Sequence, residues 1–421
     1  MMVLRWSLLS VIVAVGMAFQ HPSHSHHVGS WRSNARGMDI LGSTRPPLRN
    51  FPTNALFASS STPSLSGAQD RDRQEKKKPS FPVVLWRFTR PHTIIGSALA
   101  IPALHLLAAP TYAAAFTTGS LASMVYAMIP ALLMNLYITG LNQVTDVEID
   151  KINKPNLPIA AGDLSKRDGI ITILVALALS LILGFAHPVY GTQGLNVALW
   201  VSGILGTLYS LEPFRLKRFP FLAAFCIVAV RGAVINAGFF AHAKAAAAIT
   251  GATTATSATS VLGCLMNDPR CWLSSLYFAV FGIVIALMKD VPDVKGDALS
   301  NVRTFSVRWG PQSVFAGMHR LLAGLFMGVG VSFAKGAVNG WSSATALAAS
   351  SSSLALSLLP WGALMIPLGR AIVGLSAVMA SWSVHTEARK VDPTNPSQVY
   401  KYYMHLWKLF YLSYLVLPLA R

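Results

Sequence analysis

The sequence predicts an all-α integral membrane protein, a bundle of about nine transmembrane helices with a central cavity. Of its 421 residues, 53% are hydrophobic and 12% are charged, whereas charged residues make up about 25% of a typical soluble domain. Nine apolar segments approach or exceed the roughly 17–25 residues that cross a bilayer. These segments lie near residues 90–109, 121–142, 168–186, 194–210, 220–241, 272–289, 313–334, 355–380 and 402–420.

The loop charges support this number of spans. With nine spans, the N-terminal flank and the loops after spans two, four, six and eight share one side, and they carry 16 lysines and arginines. The other side carries four, namely Lys244, Arg270, Lys335 and Arg421. This asymmetry is the positive-inside pattern. Eleven of the twelve acids after residue 80 also lie on the basic side, with Asp268 opposite, which indicates a charged, water-facing site on one face.

The composition excludes several classes of protein. The formal charge of +18 does not indicate nucleic-acid binding, because the basic residues are spread over loops between apolar spans. Three cysteines exclude a disulfide framework and a cysteine-based metal site. Two of them, Cys264 and Cys271, share one loop, and two thiols are expected there rather than a disulfide. The low-complexity stretch from Ala243 to Ser260 predicts a disordered loop.

Residues 1–80 differ from the rest and predict a cleaved targeting leader with a linker. Met1–Ala18 combines a basic residue with a short apolar stretch, as signal peptides do. A Ser-, Pro-, His- and Arg-rich stretch follows, with Asp39 as its only acid before Asp70, and this is typical of a plastid transit peptide. A disordered tail is the alternative. Residues 81–421 form the predicted transmembrane domain, whose basic side would face the plastid stroma.

Two acidic motifs, far apart in the chain, mark the candidate site. The first begins at Asn142 and the second ends at Asp297, and each follows an apolar segment. Polar side chains in the first are spaced i, i+4 and i+8, so on a helix they line one stripe about 12 Å long. The second repeats the i, i+4 spacing, and its Pro292 and Gly296 predict that the helix ends there. The predicted metal ligands are Asn142, Asp146, Asp150, Asp290, Asp293 and Asp297.

Oxygen ligands in this pattern favour Mg²⁺ and a diphosphate. Mg²⁺ binds through one or two carboxylates and completes its shell with water and substrate phosphate oxygens. Bound metal would neutralise the charge of a departing diphosphate. A network of solvated ion pairs is the alternative, but surface pairs contribute little and need no regular spacing. The candidate phosphate donors near the motifs are Lys154, Lys217, Arg218 and Arg303.

The apolar spans connect this site to a type of reaction. A carbocation left by a departing diphosphate must be shielded from water, and the interior of a helix bundle supplies that shielding. The spans would also admit a lipid tail from the bilayer. The residues therefore favour prenyl transfer to an acceptor that attacks the allylic carbon. A cation-coupled transporter is the alternative from another class, although its acids would lie near the bilayer midplane rather than at span ends.

Four stretches resemble one family. They are Trp86–Gly96 (WRFTRPHTIIG), Asn142–Ala160 (NQVTDVEIDKINKPNLPIA), Leu208–Pro220 (LYSLEPFRLKRFP) and Trp407–Tyr411 (WKLFY). Together with the second acidic motif, they are similar to the UbiA-type intramembrane prenyltransferases, and more closely to the homogentisate prenyltransferases among them. The resemblance covers about residues 82–421, and two acidic motifs with such flanks are more specific than one acidic motif alone.

The resemblance implies a reaction. Members move a prenyl chain from its diphosphate onto homogentisate, with loss of the homogentisate carboxylate, on the way to tocopherol or plastoquinone. Residues Arg303–Gly310 are more similar to the phytyl-transferring branch of tocopherol biosynthesis, whereas Lys154–Ser165 resembles the solanesyl-transferring branch equally well. Phytyl, or a related prenyl group, is the expected donor. A homogentisate solanesyltransferase is the first alternative and a chlorophyll-synthase-like enzyme the second. Lys295 departs from the acid usual before Gly296.

The resemblance also implies roles for individual residues. It implies Mg²⁺ as the cofactor, held by the six ligands named above. The catalytic acids would be Asp146, Asp150, Asp293 and Asp297. Lys154, Lys217 and Arg218 would bind diphosphate. Tyr209 would line the acceptor pocket, and Arg90 and His92 are candidates for the homogentisate carboxylate, with a surface anchor as the alternative for Arg90.

Charges inside predicted spans form a further group of candidates, because a charge at membrane depth is a functional hypothesis by default. Arg231, with Asn236, is expected either to face the substrate cavity or to have a structural hydrogen-bonding role. Arg320 and Arg370 are assigned no role. The expected partners are the prenyl diphosphate, homogentisate and membrane lipids.

Overall fold

Every regular element in the described part of the chain is a helix. The computed structural model describes residues 79–249, 259–300, 302–350 and 361–421, without the side chains of 344–350 and 361–364. Apart from Pro79 and Ser80, the predicted leader lies outside these residues. The long helices are α2 (Pro91–Ala108), α4 (Thr118–Thr145), α7 (Lys166–Ala186), α8 (Gln193–Ser210), α9 (Pro220–Val228), α10 (Ile235–Ile249), α12 (Pro269–Asp290), α15 (Pro311–Ser350), α16 (Trp361–Ala388) and α17 (Pro396–Val416).

Short helices connect these elements. They are α1 (Phe81–Phe88), α3 (Tyr112–Ala115), α5 (Val147–Asn153), α6 (Pro158–Ala161), α11 (Val261–Asn267), α13 (Val294–Leu299) and α14 (Phe305–Trp309). A 3₁₀ turn spans Leu216–Arg218, and another ends the chain at Leu417–Leu419. A π-helical segment, Ala229–Val234, joins α9 to α10, so the two form one continuous rod.

Seven helices among the described residues are long and apolar enough to cross a membrane. They are Pro91–Ala108, Thr118–Thr145, Lys166–Ala186, Pro220–Ile249, Pro269–Asp290, Pro311–Ser343 and Met365–Ala388. The two remaining predicted spans form α8 and α17, which are not among the seven. The reason lies in their polar content, since α17 includes Lys401, His405 and Lys408. The prediction of about nine spans is therefore approximate.

Local sequence explains where the helices begin. Thr117 accepts a hydrogen bond from the backbone N–H of Ser120 at the start of α4, and Thr192 caps α8 in the same way. These caps satisfy backbone donors that have no partner within the helix. Proline occupies the first position of α2, α9, α12 and α17, where its missing N–H costs nothing.

Aromatic packing joins α12 to α17 in the centre of the bundle. The rings of Phe278 and Tyr414 stack at 3.9 Å, and Phe281 meets Phe410 edge to face at 5.2 Å. All four side chains are almost fully buried. Lipid is as apolar as these rings, so close van der Waals contact, rather than escape from water, stabilises helix pairs in a bilayer. This packing fixes the position of α12, which carries the second acidic motif at its end.

One prediction about a loop is wrong in part. The stretch from Ala243 to Ser260 was expected to be disordered, but Ala243–Ile249 continues helix α10. Alanine has the highest helix propensity, and Ala243 packs into a cluster with Leu107 and Cys264. Residues 250–258 lie outside the described residues. Cys264 and Cys271 are both buried in this cluster, and the described residues contain no disulfide.

Candidate active site

Each acidic motif lies where a long membrane helix ends and a short helix begins. Helix α4 ends at Thr145, and α12 ends at Asp290; the short helices α5 and α13 follow. Asp146 breaks the first helix, with φ −110° and ψ 20°. The spacing of the motif survives the break, because Asp146 N–H still bonds to Asn142 O (3.1 Å) and Asp150 N–H to Asp146 O (2.8 Å). The predicted stripe is therefore bent but in register.

The structure brings the two motifs together through α5 and α13. Asn153, the last residue of α5, donates a hydrogen bond from Nδ2 to Asp297 Oδ1 (3.2 Å). Its Oδ1 accepts one from the backbone N–H of Gly296 (3.1 Å). A Cβ on Gly296 would lie 2.2 Å from Asn153 Oδ1, so glycine is required for this approach. The sequence analysis missed Asn153, although it stands within the first quoted family stretch.

Basic side chains pair with the motif carboxylates. Asp146 binds Arg215 (3.0 Å) through Oδ1 and Lys217 (2.5 Å) through Oδ2. Asn142 Nδ2 also donates to Asp146 Oδ2 (3.0 Å). Lys154 pairs with Asp293 across the gap between the motifs. Lys154 and Lys217 were predicted from the sequence, whereas Arg215 was not, although it lies in the third quoted stretch.

Two further predicted cations form no ion pair with the motifs among the described residues. Arg218 binds Glu212 (2.7 Å), and its side chain is half exposed. Arg303 is exposed and forms no ion pair with either motif among the described residues. Their predicted contact with diphosphate stays a prediction.

Burial shifts the proton affinity of the charged groups at this site. Burial, followed by the negative charges of Asp290 and Asp293, raises the pKa of the Asp297 carboxyl to about 7. Burial raises the pKa of Asp150 as well, against the opposing charges of Arg90 and Lys154. Burial lowers the pKa of the Lys217 ammonium to about 8, although Asp146 acts in the other direction. A neighbouring cation would favour the charged carboxylates.

The donor set fits a hard divalent cation with open coordination positions. Among the described residues no three His, Cys, Asp or Glu side chains are close enough to form a complete metal site. Mg²⁺ needs only one or two protein carboxylates when phosphate oxygens and water complete its shell. Asp150 Oδ2 is buried without a hydrogen-bond partner, and its nearest cation, Arg90 Nη2, is 3.8 Å away. An unsatisfied carboxylate oxygen in a buried site is available to a metal.

A cavity of about 210 Å³ opens beside the first motif, within the bundle. Asn142 and Lys289 line it at the motif end, so it adjoins the acidic site. Three predicted substrate-binding residues also line it, namely Arg90, His92 and Tyr209. The His92 ring packs edge to face on Trp407 at 5.1 Å, and Tyr209 Oη accepts a hydrogen bond from Lys289 Nζ (3.4 Å).

A second, larger cavity of about 410 Å³ lies between α12, α15, α16 and α17. Its walls are mostly apolar and include Leu273, Phe333 and Leu412. It contains no residue of either acidic motif. Of these two cavities, the one of 210 Å³ adjoins the acidic motifs.

Comparison with known proteins identifies the family of this chain. The model of the UbiA prenyltransferase family matches residues 103–359, which include both acidic motifs. The probable homogentisate phytyltransferase 1, chloroplastic, of Oryza sativa subsp. japonica is 36% identical over 88% of this chain and 81% of its own length. The homogentisate phytyltransferase of Synechocystis sp. is 34% identical over 80% of this chain and 94% of its own.

A solved structure of a UbiA homolog from Archaeoglobus fulgidus, bound to GPP and Mg²⁺, aligns with 80% of this chain and 99% of its own. Its TM-score is 0.47 and its sequence identity 14%. The family match covers more than half of the chain, and the sequence relatives cover most of it. The chain therefore belongs to the UbiA prenyltransferase family.

Proposed function

We propose that this protein transfers a prenyl group, phytyl in preference, from its diphosphate onto homogentisate with loss of the homogentisate carboxylate. The observation that carries the proposal is the juxtaposition of two linked acidic motifs and a cavity within the helix bundle. Asn142 and Lys289 belong to the motif ends and also line the 210 Å³ cavity. A diphosphate held at the motifs would therefore place its first carbon atoms at the mouth of a pocket that suits one aromatic ring.

In this proposal the motif side chains would hold Mg²⁺ through their oxygen atoms, with Asn142, Asp146 and Asp150 on one side and Asp290, Asp293 and Asp297 on the other. Bound Mg²⁺ supplies neutralisation of the charge that develops on the departing diphosphate. In the structure, Asp146 pairs with the basic side chains of Arg215 and Lys217. Lys217 and Arg215 would donate to phosphate oxygens of a bound diphosphate.

The remaining basic residues extend the diphosphate site. Lys154 follows the first motif and pairs with Asp293 of the second, so it would contact a diphosphate held between the motifs. Arg218 and Arg303 are more exposed and would contact the outer phosphate group of the departing diphosphate. Several charge-assisted hydrogen bonds to the diphosphate would hold it at the motifs, so that the first carbon of the prenyl chain points into the bundle.

The cavity walls suit the carbon chemistry. As the allylic C–O bond breaks, its electron pair leaves with the diphosphate, and a ring carbon of homogentisate supplies the pair for the new C–C bond. The ring then loses its proton. The carboxymethyl group loses CO₂ and takes up a proton to become methyl, so protons balance. Aromatic faces such as those of Trp407 and Tyr403, both lining the cavity, stabilise a nearby cation and exclude water.

Similarity to relatives supports phytyl as the donor. The two relatives described above are both called homogentisate phytyltransferases, at 36% and 34% identity, and the Arg303–Gly310 stretch is more similar to that branch. A solanesyltransferase remains the second candidate, supported by Lys154–Ser165. The deciding experiment gives purified protein homogentisate with phytyl, geranylgeranyl and solanesyl diphosphates in turn and compares kcat/KM. Highest kcat/KM with solanesyl diphosphate would assign the second candidate, and absence of product with all three would refute the proposal.

The protein should form prenylated product without an ion gradient across a membrane. A cation-coupled transporter needs two separated compartments, whereas a prenyltransferase forms product in detergent micelles. We further propose that residues 1–80 direct the chain to a plastid and that the acidic motifs face the stroma. Support comes from the leader composition, the basic loops on the motif side and the word chloroplastic in the name of the rice relative.

A further inference from the structure

Arg231 occupies an unusual place in the membrane part of the fold. It lies within the π-helical segment Ala229–Val234 and lines the 210 Å³ cavity. Its guanidinium carbon lies 4.8 Å from the centre of the Trp407 ring and 5.8 Å from that of Phe410. Arg231 follows the start of the membrane rod at Pro220 by 11 residues, which corresponds to a depth of roughly 16 Å along a helix.

The charges that line the cavity are unbalanced. Its lining includes three permanent cations, Arg90, Arg231 and Lys289, and no Asp or Glu. Arg90 has Asp150 Oδ2 at 3.8 Å, and Lys289 has an oxygen of Asp290 at 3.5 Å. Arg231 has no carboxylate within ion-pair distance in the described part of the chain. A permanent charge at this depth is costly, and an anion in the cavity would offset that cost.

The backbone around Arg231 holds it in position. Gly232, the next residue, approaches α12 so closely that a Cβ there would lie 2.4 Å from the Cβ of Ala279. The side-chain amide of Asn236 donates to Arg231 O and to Gly232 O, which are carbonyls at the π-helical segment. Tyr414 Oη in turn donates to Asn236 Oδ1 (3.3 Å). π-Helical turns occur frequently at functional sites, and here the turn directs one arginine into the cavity.

We propose that Arg231 binds the carboxylate of the aromatic acceptor, with Trp407 supporting its guanidinium from the side. This inference rests on the proposed function and adds the residue that recognises the acceptor acid. Arg90, the earlier candidate, faces Asp150 and the metal site, whereas Arg231 is the cavity cation without a protein counter-ion. A guanidinium binds a carboxylate with two parallel hydrogen bonds, which orients the acceptor ring as well as holding it.

The test compares two acceptors that differ in the carboxylate. Homogentisate has a carboxymethyl group on its ring, whereas methylhydroquinone has a methyl group at the same position and no carboxylate. Equilibrium dialysis of purified full-length protein in detergent gives the Kd of each, for the wild type, Arg231→Met, Arg231→Lys and the control Arg320→Met, which removes an exposed arginine of α15. We expect the wild type to prefer homogentisate by about 30-fold and Arg231→Met to lose that preference, as expected for loss of a charge-assisted bidentate pair.

Further measurements separate recognition from a purely structural role. Arg231→Lys keeps the charge but loses the fork geometry, so it should bind homogentisate about tenfold more weakly while binding methylhydroquinone as the wild type does. In turnover assays, KM for homogentisate should rise in both variants, and KM for the prenyl diphosphate should stay within about twofold. Arg320→Met should match the wild type throughout.

Several results would overturn the inference. They are a wild type that binds both acceptors equally, an Arg231→Lys variant that keeps the full preference, or variants that lose both acceptors to the same extent. If Arg90→Met, rather than Arg231→Met, abolished the preference, the carboxylate site would be at Arg90. Failure of the proposed function is a separate result, because it would show as wild-type protein that forms no prenylated product from homogentisate with any of the three diphosphates.

Discussion

Asn153 donates a hydrogen bond to Asp297 across 3.2 Å, and so the helix of the first acidic motif holds a carboxylate of the second. The same side chain receives the backbone N–H of Gly296. The two motifs are thereby held at a fixed separation by protein groups alone. Such partners of metal ligands affect both metal affinity and ligand orientation.

Asn153→Ala should therefore weaken metal use without unfolding the protein. We expect the Mg²⁺ concentration for half-maximal rate to rise about tenfold, the low end for loss of a group that orients a ligand. Gly296→Ala should be at least as harmful, because its Cβ would lie 2.2 Å from Asn153 Oδ1. In the Asn153→Ala background the same substitution should add little. Additive losses would contradict this linkage, and Gly336→Ala, whose nearest neighbour would be 3.5 Å away, is the matched control.

Neutralising a motif carboxylate should stop turnover and leave the fold intact. Asp146→Asn and Asp293→Asn keep the side-chain shape and remove the charge that binds metal, so we expect kcat to fall by at least about a hundredfold. Product formation, thermal unfolding and membrane insertion are the measurements. Asp392→Asn, in an exposed loop that is predicted to lie on the same face, should be active. Full activity of either motif variant would contradict the hypothesis that these carboxylates hold the metal that binds the diphosphate.

Removal of divalent cations should reversibly stop the reaction. The candidate metal ligands at the motifs are all oxygen donors, and these acidic groups need a hard cation to bind a negatively charged diphosphate. We expect EDTA to abolish product formation and added Mg²⁺ to restore it, with homogentisate binding in dialysis unchanged within about twofold. Turnover that persists in EDTA would be incompatible with these roles for Asp146 and Asp293.

Asp268 should contribute to stability and not to catalysis. It caps α12 and pairs with Lys244 and Arg270, both at 3.1 Å, far from the motifs. We expect Asp268→Asn to cost about 1 kcal/mol, a low value because Arg270 is partly exposed and screened. Thermal unfolding should report the loss while both KM values stay unchanged. An altered KM for either substrate would show that this acid has a second role.

The pH dependence of this contribution has a definite sign. Burial raises the pKa of Asp268, but hydrogen bonds and charge from Arg270 and Lys244 outweigh it and hold the pKa below its usual 3.8. The folded state therefore binds the proton less tightly than the unfolded state does. The stabilisation is complete above about pH 4 and is lost as pH falls through the folded-state value. The difference in melting temperature between wild type and Asp268→Asn should shrink only in that acidic range.

Topology can be tested with two variants that each add one cysteine, because the three native cysteines are buried. Lys390→Cys lies in the loop after α16, and Asn339→Cys lies 28 residues along α15 from its start, or roughly 40 Å by helix rise. A membrane-impermeant thiol reagent should label Lys390→Cys from the N-terminal side and Asn339→Cys from the other. Labelling of both from one side would contradict the orientation inferred from loop charge.

Much of the fold could be predicted from composition, because spanning a bilayer requires long apolar helices. Two elements show where that reasoning stops. Helix α17 carries Lys401 and Lys408, and its Phe410 and Tyr414 pack on Phe278 of α12. Its apolar length alone therefore does not mark it as a span. Ala243–Ile249 has a composition typical of low-complexity loops, but packing against Leu107 keeps it helical. Contacts distant in the chain decide both cases.

The candidate site was predictable in its acids and only partly in its supporting groups. Regular spacing pointed to Asp146 and Asp150, since a helix converts that spacing into one face. No comparable spacing in the sequence marks Asn153 or Arg215, because their partners are 144 and 69 residues away in the chain. Arg231 was visible as a charge within a span, but its lack of a counter-ion depends on neighbours from α12 and α17 that sequence order does not reveal.

Helix α12 meets Gly232 at Ala279 and ends at Asp290, so this one helix sets the offset between the π-helical turn and the second acidic motif. The eleven residues from Ala279 to Asp290 correspond to roughly 16 Å along the helix, and α12 keeps this distance fixed. Inserting a single residue between them would turn one end by about 100° relative to the other. If Arg231 binds the acceptor and the motifs bind the diphosphate, as proposed above, the length of α12 would determine which ring carbon of the acceptor faces the allylic carbon.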